Sequence, residues 1–379
     1  MTFNFDEHTD RYHSDSIKWN HWPPSVLPMW VADTDFRSPP CVIEALQARV
    51  AQGVFGYGKH PDGLAEAVVN WLANRYDWHI EPEWLVFIPG VATGLNLAVR
   101  AYCGPDQGTL APEPIYPPFR KAARLAGHTQ LNAPLYLQDE RWVMNLEEVE
   151  PQLLGNERLL MLCNPQNPGG TVYRRDELLE QLAFAQRNNL IVCSDEIHCD
   201  LLLDEGTRHI PFASLSDDAA QRTVTLMAPS KTWNIAGLGA SFAIIANPVL
   251  RQRFVATRAG IVPEVDILAI TAAEAALREG GPWLDAQLQV LRNNRDTLCA
   301  AINALPGLSV IPPEGTYLAW VDCSGLPVDN PAKFFLDAGL GFSPGRDFGN
   351  SSFVRINFGC TQETLNEAIL RIQRAVNAL

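Results

Sequence analysis

A lysine opens the turn after one β-branched run of this chain. Thr223-Val224-Thr225-Leu226-Met227 reads as a strand, and Ala228-Pro229-Ser230-Lys231-Thr232-Trp233-Asn234 follows it. In open α/β sheets ligands sit beyond the carboxyl ends of strands, which puts Lys231 on a ligand-facing edge. Desolvation there favours the neutral amine, a nucleophile that forms Schiff bases. The plainer alternative is a solvated lysine that begins a turn. The other chemistry-bearing residues decide between the two.

Asp195 follows the apolar run at 190–194. A carboxylate there can hold a protonated ring nitrogen, or it can cap a helix. Asn167 lies in the proline-flanked stretch Asn164-Pro165-Gln166-Asn167-Pro168-Gly169-Gly170, where it donates to an oxygen anion or simply shapes the turn. Gly90-Val91-Ala92-Thr93 joins a strand to a helix, so the amides of Val91 and Ala92 can cradle a phosphate, with the Ser230 hydroxyl beside them. The spacing is neither a full G-x-G-x-x-G nor a P-loop. Tyr116 offers a flat face for ring stacking, or a core side chain. Arg355 sits among apolar strand residues in Phe353-Val354-Arg355-Ile356-Asn357 and needs an anion. That anion is a substrate carboxylate or an internal ion-pair partner. A phosphate cradle, a stacking ring, a carboxylate for a pyridinium, a donor for a phenolate and a Schiff-base lysine together describe pyridoxal 5′-phosphate. No metal site is expected.

Alternating strands and helices must position these residues. Strands are expected at 84–88, 108–111, 159–163, 190–194, 223–227 and 241–246, and helices at 64–76, 95–102 and 176–188. That alternation predicts an α/β fold with a mostly parallel central sheet and helices on both faces. The polar motifs all fall just after strand ends. Pro39-Pro40 opens a further helix, with Ser38 as its N-cap and Val42, Ile43, Leu46 and Val50 on one face. From about Thr271 the pattern changes. A long helical region at 272–305 is broken at Gly280-Gly281-Pro282, and strands follow at 317–321 and 353–358. A terminal helix is capped by Thr361 and carries the stripe Leu365, Ile369, Ile372 and Val376. The expected organisation is an N-terminal arm at 1–45 joining the small unit, a large cofactor-binding domain at 46–278 and a smaller α+β domain at 279–379.

Composition narrows the classes. At 379 residues the chain exceeds one simple core, given roughly 150 residues per domain. A net charge of −14 with scattered basic residues excludes a nucleic-acid backbone as partner. No apolar run approaches the roughly 20 residues of a membrane helix. The stretch 1–16 is polar and acidic, unlike a signal peptide, and none of the eight cysteines forms a C-x-x-C pair. A cytoplasmic protein with reduced thiols is expected.

The ordered set Asn167-Pro168-Gly169, Ser194-Asp195-Glu196, Ser230-Lys231 and Arg355 resembles fold-type I pyridoxal-phosphate enzymes of the aminotransferase class I/II superfamily. A narrower resemblance is carried by Pro28-Met29-Trp30-Val31-Ala32-Asp33-Thr34-Asp35-Phe36, Tyr116-Pro117-Pro118-Phe119, Asp195-Glu196-Ile197-His198, Thr232-Trp233-Asn234-Ile235-Ala236-Gly237-Leu238 and Thr316-Tyr317-Leu318-Ala319-Trp320. These stretches are similar to MalY/PatB-type cystathionine β-lyases, the C–S lyases. The resemblance implies a Schiff-base and proton-shuttling role for Lys231 and pyridine-nitrogen pairing by Asp195. Asn167 and His198 fall beside the ring hydroxyl, Tyr116 on the ring face, and Val91, Ala92 and Ser230 on the phosphate. Arg355 falls on the substrate α-carboxylate, assisted by Asn167 and the backbone of Val31 and Ala32. Tyr57 is the tyrosine lent across a homodimer to the neighbouring site.

Three positions depart from the pattern: Thr93-Gly94 replaces a frequent proline, Thr34 replaces a frequent methionine, and Gly239 stands where many aminotransferases carry a phosphate arginine. The implied reaction is α,β-elimination from cystathionine or a related cysteine S-conjugate, giving a thiol, pyruvate and ammonia. An aminotransferase shares the early steps and is the alternative. A non-catalytic regulatory protein that keeps the cofactor is a third reading.

Overall fold

The computed structural model describes residues 3–379. Met1 and Thr2, the first residues of the expected arm, lie outside the described residues. The rest of the arm is not featureless. Ile17–Asn20 forms a helical turn capped by Ser16, and β1 (Leu27–Pro28) forms a strand.

The central sheet contains β2 (Leu85–Pro89), β3 (Gly108–Glu113), β4 (Gln130–Gln138), β5 (Arg141–Met144), β6 (Glu157–Cys163), β7 (Ile191–Asp195), β8 (Thr223–Met227) and β9 (Ala240–Ile244). Their spatial order is β2-β9-β8-β7-β6-β3-β4-β5. Parallel pairing runs from β4 through β3, β6 and β7 to β8. β9 runs against both β8 and β2, and β5 runs against β4. Period-2 alternation divides the apolar run of β6 between the two faces. Leu159, Met161 and Cys163 pack with Leu95, Ala98 and Phe254 of the helices Val91–Tyr102 and Pro248–Arg258. Leu160 and Leu162 pack on the other face with Leu178 and Leu182 of the helix Arg175–Arg187. Burial on both faces explains why these strands read as continuous hydrophobic runs.

The second sheet contains β10 (Ser309–Val310), β11 (Leu318–Asp322), β13 (Ser343–Pro344) and β14 (Phe353–Asn357), in the order β10-β11-β14-β13. All of its pairings are antiparallel. Between them β12 (Leu340–Gly341) pairs in parallel with β1, which joins the arm to this unit. The register sets Trp320 and Ser343 on either side of Arg355. One apolar cluster continues from arm residues Met29 and Phe36 through the helices Ile267–Glu279 and Gly281–Asn303 to Ile356 and Leu365. The break between those two helices falls at Gly280, as expected. Thr361 caps the last helix by accepting from the Thr364 amide at 3.2 Å.

Three local expectations are corrected. Ser38 does not cap the helix Pro40–Ala51; Pro39 occupies that position, and the Ser38 hydroxyl donates to the Asn234 carbonyl at 3.0 Å. The helix expected from 95 begins at Val91. The β4–β5 hairpin was not foreseen. Its turn residues Asp139 and Glu140 adopt φ of 49° and 57°, conformations that the usual Asn-Gly signal would have announced.

Among the described residues no helix is long and apolar enough to cross a membrane, and no cluster of potential metal ligands occurs. All eight cysteines are free, and only Cys41 is not buried.

Candidate active site

The turn after β8 is fixed by the two residues beyond Thr232. Trp233 is fully buried, and its indole N–H donates to the Gly280 carbonyl at 3.0 Å. A Cβ on Gly280 would stand 2.3 Å from that nitrogen, so glycine is what admits the indole. Asn234 adopts φ of 54°, a left-handed conformation that asparagine tolerates better than most residues. Its side chain accepts from the Thr34 amide at 3.0 Å and donates to the carbonyls of Thr34 and Phe36 at 2.9 and 2.7 Å. The lysine turn is thereby stitched to the arm.

The arm segment is itself held by charge. The buried Lys18 ammonium donates to Asp35 at 3.0 Å, and Arg11 pairs with Asp33 at 2.9 Å. Pairing of this kind offsets the cost of taking both charges out of water.

Lys231 reaches across this junction and donates from Nζ to the Ala32 carbonyl at 2.6 Å. Burial is the largest influence on it and brings the ammonium down from 10.5 to about 8. Asp33 and Asp195 oppose that shift, and Arg355 adds to it. The amine is therefore available as a base near neutrality.

Asp195 ends β7 in a buried position, where Oδ1 accepts from the Ile197 amide at 3.1 Å. It does not cap a helix. Burial pushes its carboxyl up to about 7 with Glu196 adding, against the Ile197 amide and Lys231. Glu196 is committed to Ser194, His209 and Phe212. Asp195 is thus the carboxylate that a cationic ring nitrogen would stabilise. His198 is buried, and its Nδ1 has no partner. Burial, then Lys231 and Arg355, pull it down to about 3, so the imidazole is neutral.

Arg355 is buried in β14. It donates to Asn167 Oδ1 at 3.0 Å, to the Trp30 carbonyl at 2.8 Å and to Ser343 Oγ at 3.3 Å. Its guanidinium carbon lies 4.7 Å from the Phe348 ring centroid, and Nε has no partner. Among the described residues no carboxylate forms an ion pair with it, which removes the internal-salt-bridge reading. Burial lowers it to about 10, with Tyr116 and Tyr317 opposing.

Lys231, Arg355, Tyr116, Val31 and Ala32 line one cavity of about 640 Å³. His21, Trp22 and Trp30 of the arm form an aromatic wall on the same cavity. Gly90, at φ of 105°, precedes the helix at Val91, and no side chain caps that end. Val91 and Ala92 therefore lie in a first turn whose amides have no intrahelical acceptors. Ser230 is buried in the lysine turn.

These features fit pyridoxal phosphate: an amine for its aldehyde, a carboxylate lacking a cation for its ring nitrogen, an unpartnered imidazole near its hydroxyl and an uncapped helix start for its phosphate. Tyr57 is the exception. It is fully exposed in the loop after the first long helix, and one chain alone does not bring it to the cavity. The carbonyls of Val31 and Ala32 are both engaged, by Asn357 at 2.6 Å and by Lys231.

Trp30, Ser343 and Tyr317 join the site without having been assigned to it. Besides its ring on the cavity wall, Trp30 holds Arg355 through its backbone carbonyl, which no side-chain pattern reveals. Ser343 becomes visible only through its register opposite Arg355. Tyr317 stood in a recognised motif but carried no role.

The chain is also similar to known proteins over nearly its whole length. The Aminotransferase class I and II family matches residues 26–372. Cystathionine beta-lyase PatB of Bacillus subtilis is 37% identical, over 99% of this chain and 100% of that protein. The crystal structure of OvoB is 59% identical and covers 100% of both chains with a TM-score of 0.98. The PLP-bound C–S lyase of Staphylococcus hominis is 30% identical, with a TM-score of 0.91 over 99% of this chain and 98% of that one. This chain belongs to the aminotransferase class I and II family.

Proposed function

We propose that this chain is a pyridoxal 5′-phosphate-dependent carbon–sulfur β-lyase. Its substrates are cystathionine or related cysteine S-conjugates, and its products are a thiol, pyruvate and ammonia. The carrying observation is that a lysine neutral near pH 8 and a buried arginine with no carboxylate open into the same cavity. When bound, the cofactor supplies an electron-withdrawing ring that stabilises negative charge at the substrate α-carbon. Lys231, Asp195, Asn167, His198, Tyr116, Val91, Ala92 and Ser230 would hold it in the roles given above. Arg355 grips the substrate α-carboxylate with a planar fork, and Asn167 steadies that fork. Lys231 takes the α-proton onto Nζ. Asp195 keeps a proton on the ring nitrogen by charge.

Gly239 favours elimination over transamination. Glycine carries no guanidinium, so this position adds no positive charge beside the phosphate, where many aminotransferases place an arginine. The cavity leaves room for a bulky group on sulfur. The test is pyruvate release from cystathionine, cysteine and S-alkyl cysteines, with and without a keto acid. Product without keto acid is expected; product only with keto acid would make the chain an aminotransferase.

Proton removal needs the neutral amine. As Lys231 sits near 8, kcat should rise about tenfold per pH unit below that value and level off above it. A profile measured from pH 6 to 9.5 that stays flat would exclude Lys231 as the base.

The working unit is a homodimer. Val54, Phe55 and Tyr57 are exposed together in one loop, a patch that a second copy would cover. Tyr57 then reaches the other copy's cavity. Mixing inactive Tyr57→Ala and Lys231→Ala chains should restore roughly a quarter of parental activity, because half the dimers are hybrids with one intact site. No recovery would place Tyr57 outside the shared site. Eight free cysteines suit a reducing cytoplasm.

A further inference from the structure

Thr316 is fully buried and holds φ of 74°, a conformation that β-branched residues avoid. The surroundings impose it. The Thr316 amide donates to the Leu201 carbonyl at 2.8 Å, and the Gly315 amide donates to the Gly170 carbonyl at 3.0 Å. The Thr316 hydroxyl accepts from the Leu318 amide at 3.1 Å. This strained residue is wedged against the two loops that carry Asn167 and His198, and backbone strain of this kind gathers at functional sites. Its consequence is the placement of the next side chain. Tyr317 is buried, stands edge-on to His198 at 6.1 Å, and donates from its hydroxyl to the Ala32 carbonyl at 3.0 Å. That oxygen is the one that receives Lys231 Nζ.

We propose that Tyr317 is a positioning residue for Lys231. Its phenol fixes the Ala32 carbonyl as the acceptor of the lysine amine whenever that amine is free of the cofactor and, by sharing that oxygen, keeps the amine from being held too firmly as an ammonium. A carbonyl oxygen has two lone pairs, and a donor on one weakens what the other offers. An ammonium gains more from an acceptor than an amine does, so the phenol biases Lys231 towards its neutral form. The other charged groups that act on Lys231 are Asp33, Arg355 and Asp195, and Lys231 in turn acts on the neutral His198. The inference rests on Lys231 being the reactive amine, and it adds a residue that the proposed function does not use.

The test substitutes Tyr317→Phe in the full-length protein and titrates the Lys231 amine with cofactor removed. Acetic anhydride labelling across pH, read on the Lys231 peptide, gives the midpoint. The expected result is a midpoint at least 0.5 pH unit higher, about threefold in the protonation constant. After reloading, kcat at pH 7 should fall at least about threefold with KM within twofold, and should recover as pH rises. Thr316→Gly accepts the left-handed backbone and keeps the phenol, so its midpoint should match the parent's. An unmoved or lowered midpoint in Tyr317→Phe overturns the proposal. So does an equal rise in Thr316→Gly, because the shift would then report loop packing. Failure of the lyase reading would appear separately, as no pyruvate from the parent whatever the midpoints show.

Discussion

Lys231→Ala should lower pyruvate release from a cysteine S-conjugate by roughly 10⁴-fold or more while leaving the fold in place. General acid–base catalysis alone contributes about 10²–10⁴-fold, and the same residue also provides the covalent anchor. The structure separates that loss from a folding defect. The turn is held by Trp233 on Gly280 and by Asn234 on Thr34 and Phe36, none of which involves the lysine side chain. What disappears is one bond to the Ala32 carbonyl, an oxygen that Tyr317 still satisfies. Thermal unfolding should therefore shift by only a few degrees, since one such bond contributes about 1 kcal/mol. Added small primary amines should restore part of the rate by supplying the missing base. Activity within tenfold of the parent would show that the proton moves through another group.

The readable part of the site was the part made of side chains at strand ends. Lys231 and Asn167 follow β8 and β6 and Asp195 ends β7, and each announced itself as a polar residue after an apolar run. Those runs are legible because a sheet buried on both faces requires them. Arg355 was legible for the opposite reason, a charge inside an apolar strand. Its two readings could be separated only by the absence of a carboxylate beside it, which is a tertiary fact. The arm was the least legible region. Its contribution comes through backbone carbonyls of Trp30, Val31 and Ala32, and a carbonyl has no residue type. The segment that carries them is held by Lys18, Asp35, Asn234 and Asn357, which come from four separate places in the sequence. Ser38 shows the same limit. It had the composition of a helix cap, and a tertiary bond to Asn234 took its hydroxyl instead. Tyr57 stays unplaced for a further reason: it is fully exposed, and only the proposed dimer would give it a site.

Arg355→Met should lower kcat/KM by about 10²–10³-fold, carried mainly by KM, with far less effect on stability than burial of the residue suggests. The fold keeps this guanidinium out of water without an ion-pair partner, and burial has already lowered it to about 10. Its bonds to Asn167, Trp30 and Ser343 orient the fork but do not neutralise the charge. A substrate carboxylate supplies that neutralisation, and removing one member of a buried hydrogen-bonded charge pair costs about 2–5 kcal/mol of binding. In the free protein the balance differs. Methionine fills the volume and removes an uncompensated buried cation, which offsets the acceptors left behind. The melting temperature should stay within a few degrees of the parent's. Arg355→Lys separates charge from shape. It keeps the cation and loses the planar fork, so it should recover only part of the lost affinity. The two variants should respond alike to a substrate analogue that lacks the α-carboxylate, because that analogue never used the fork. If Arg355→Met retains kcat/KM within fivefold, the carboxylate binds elsewhere. The unpaired arginine would then need another anion, and the cavity beside Lys231 would have to be read again from that anion outward.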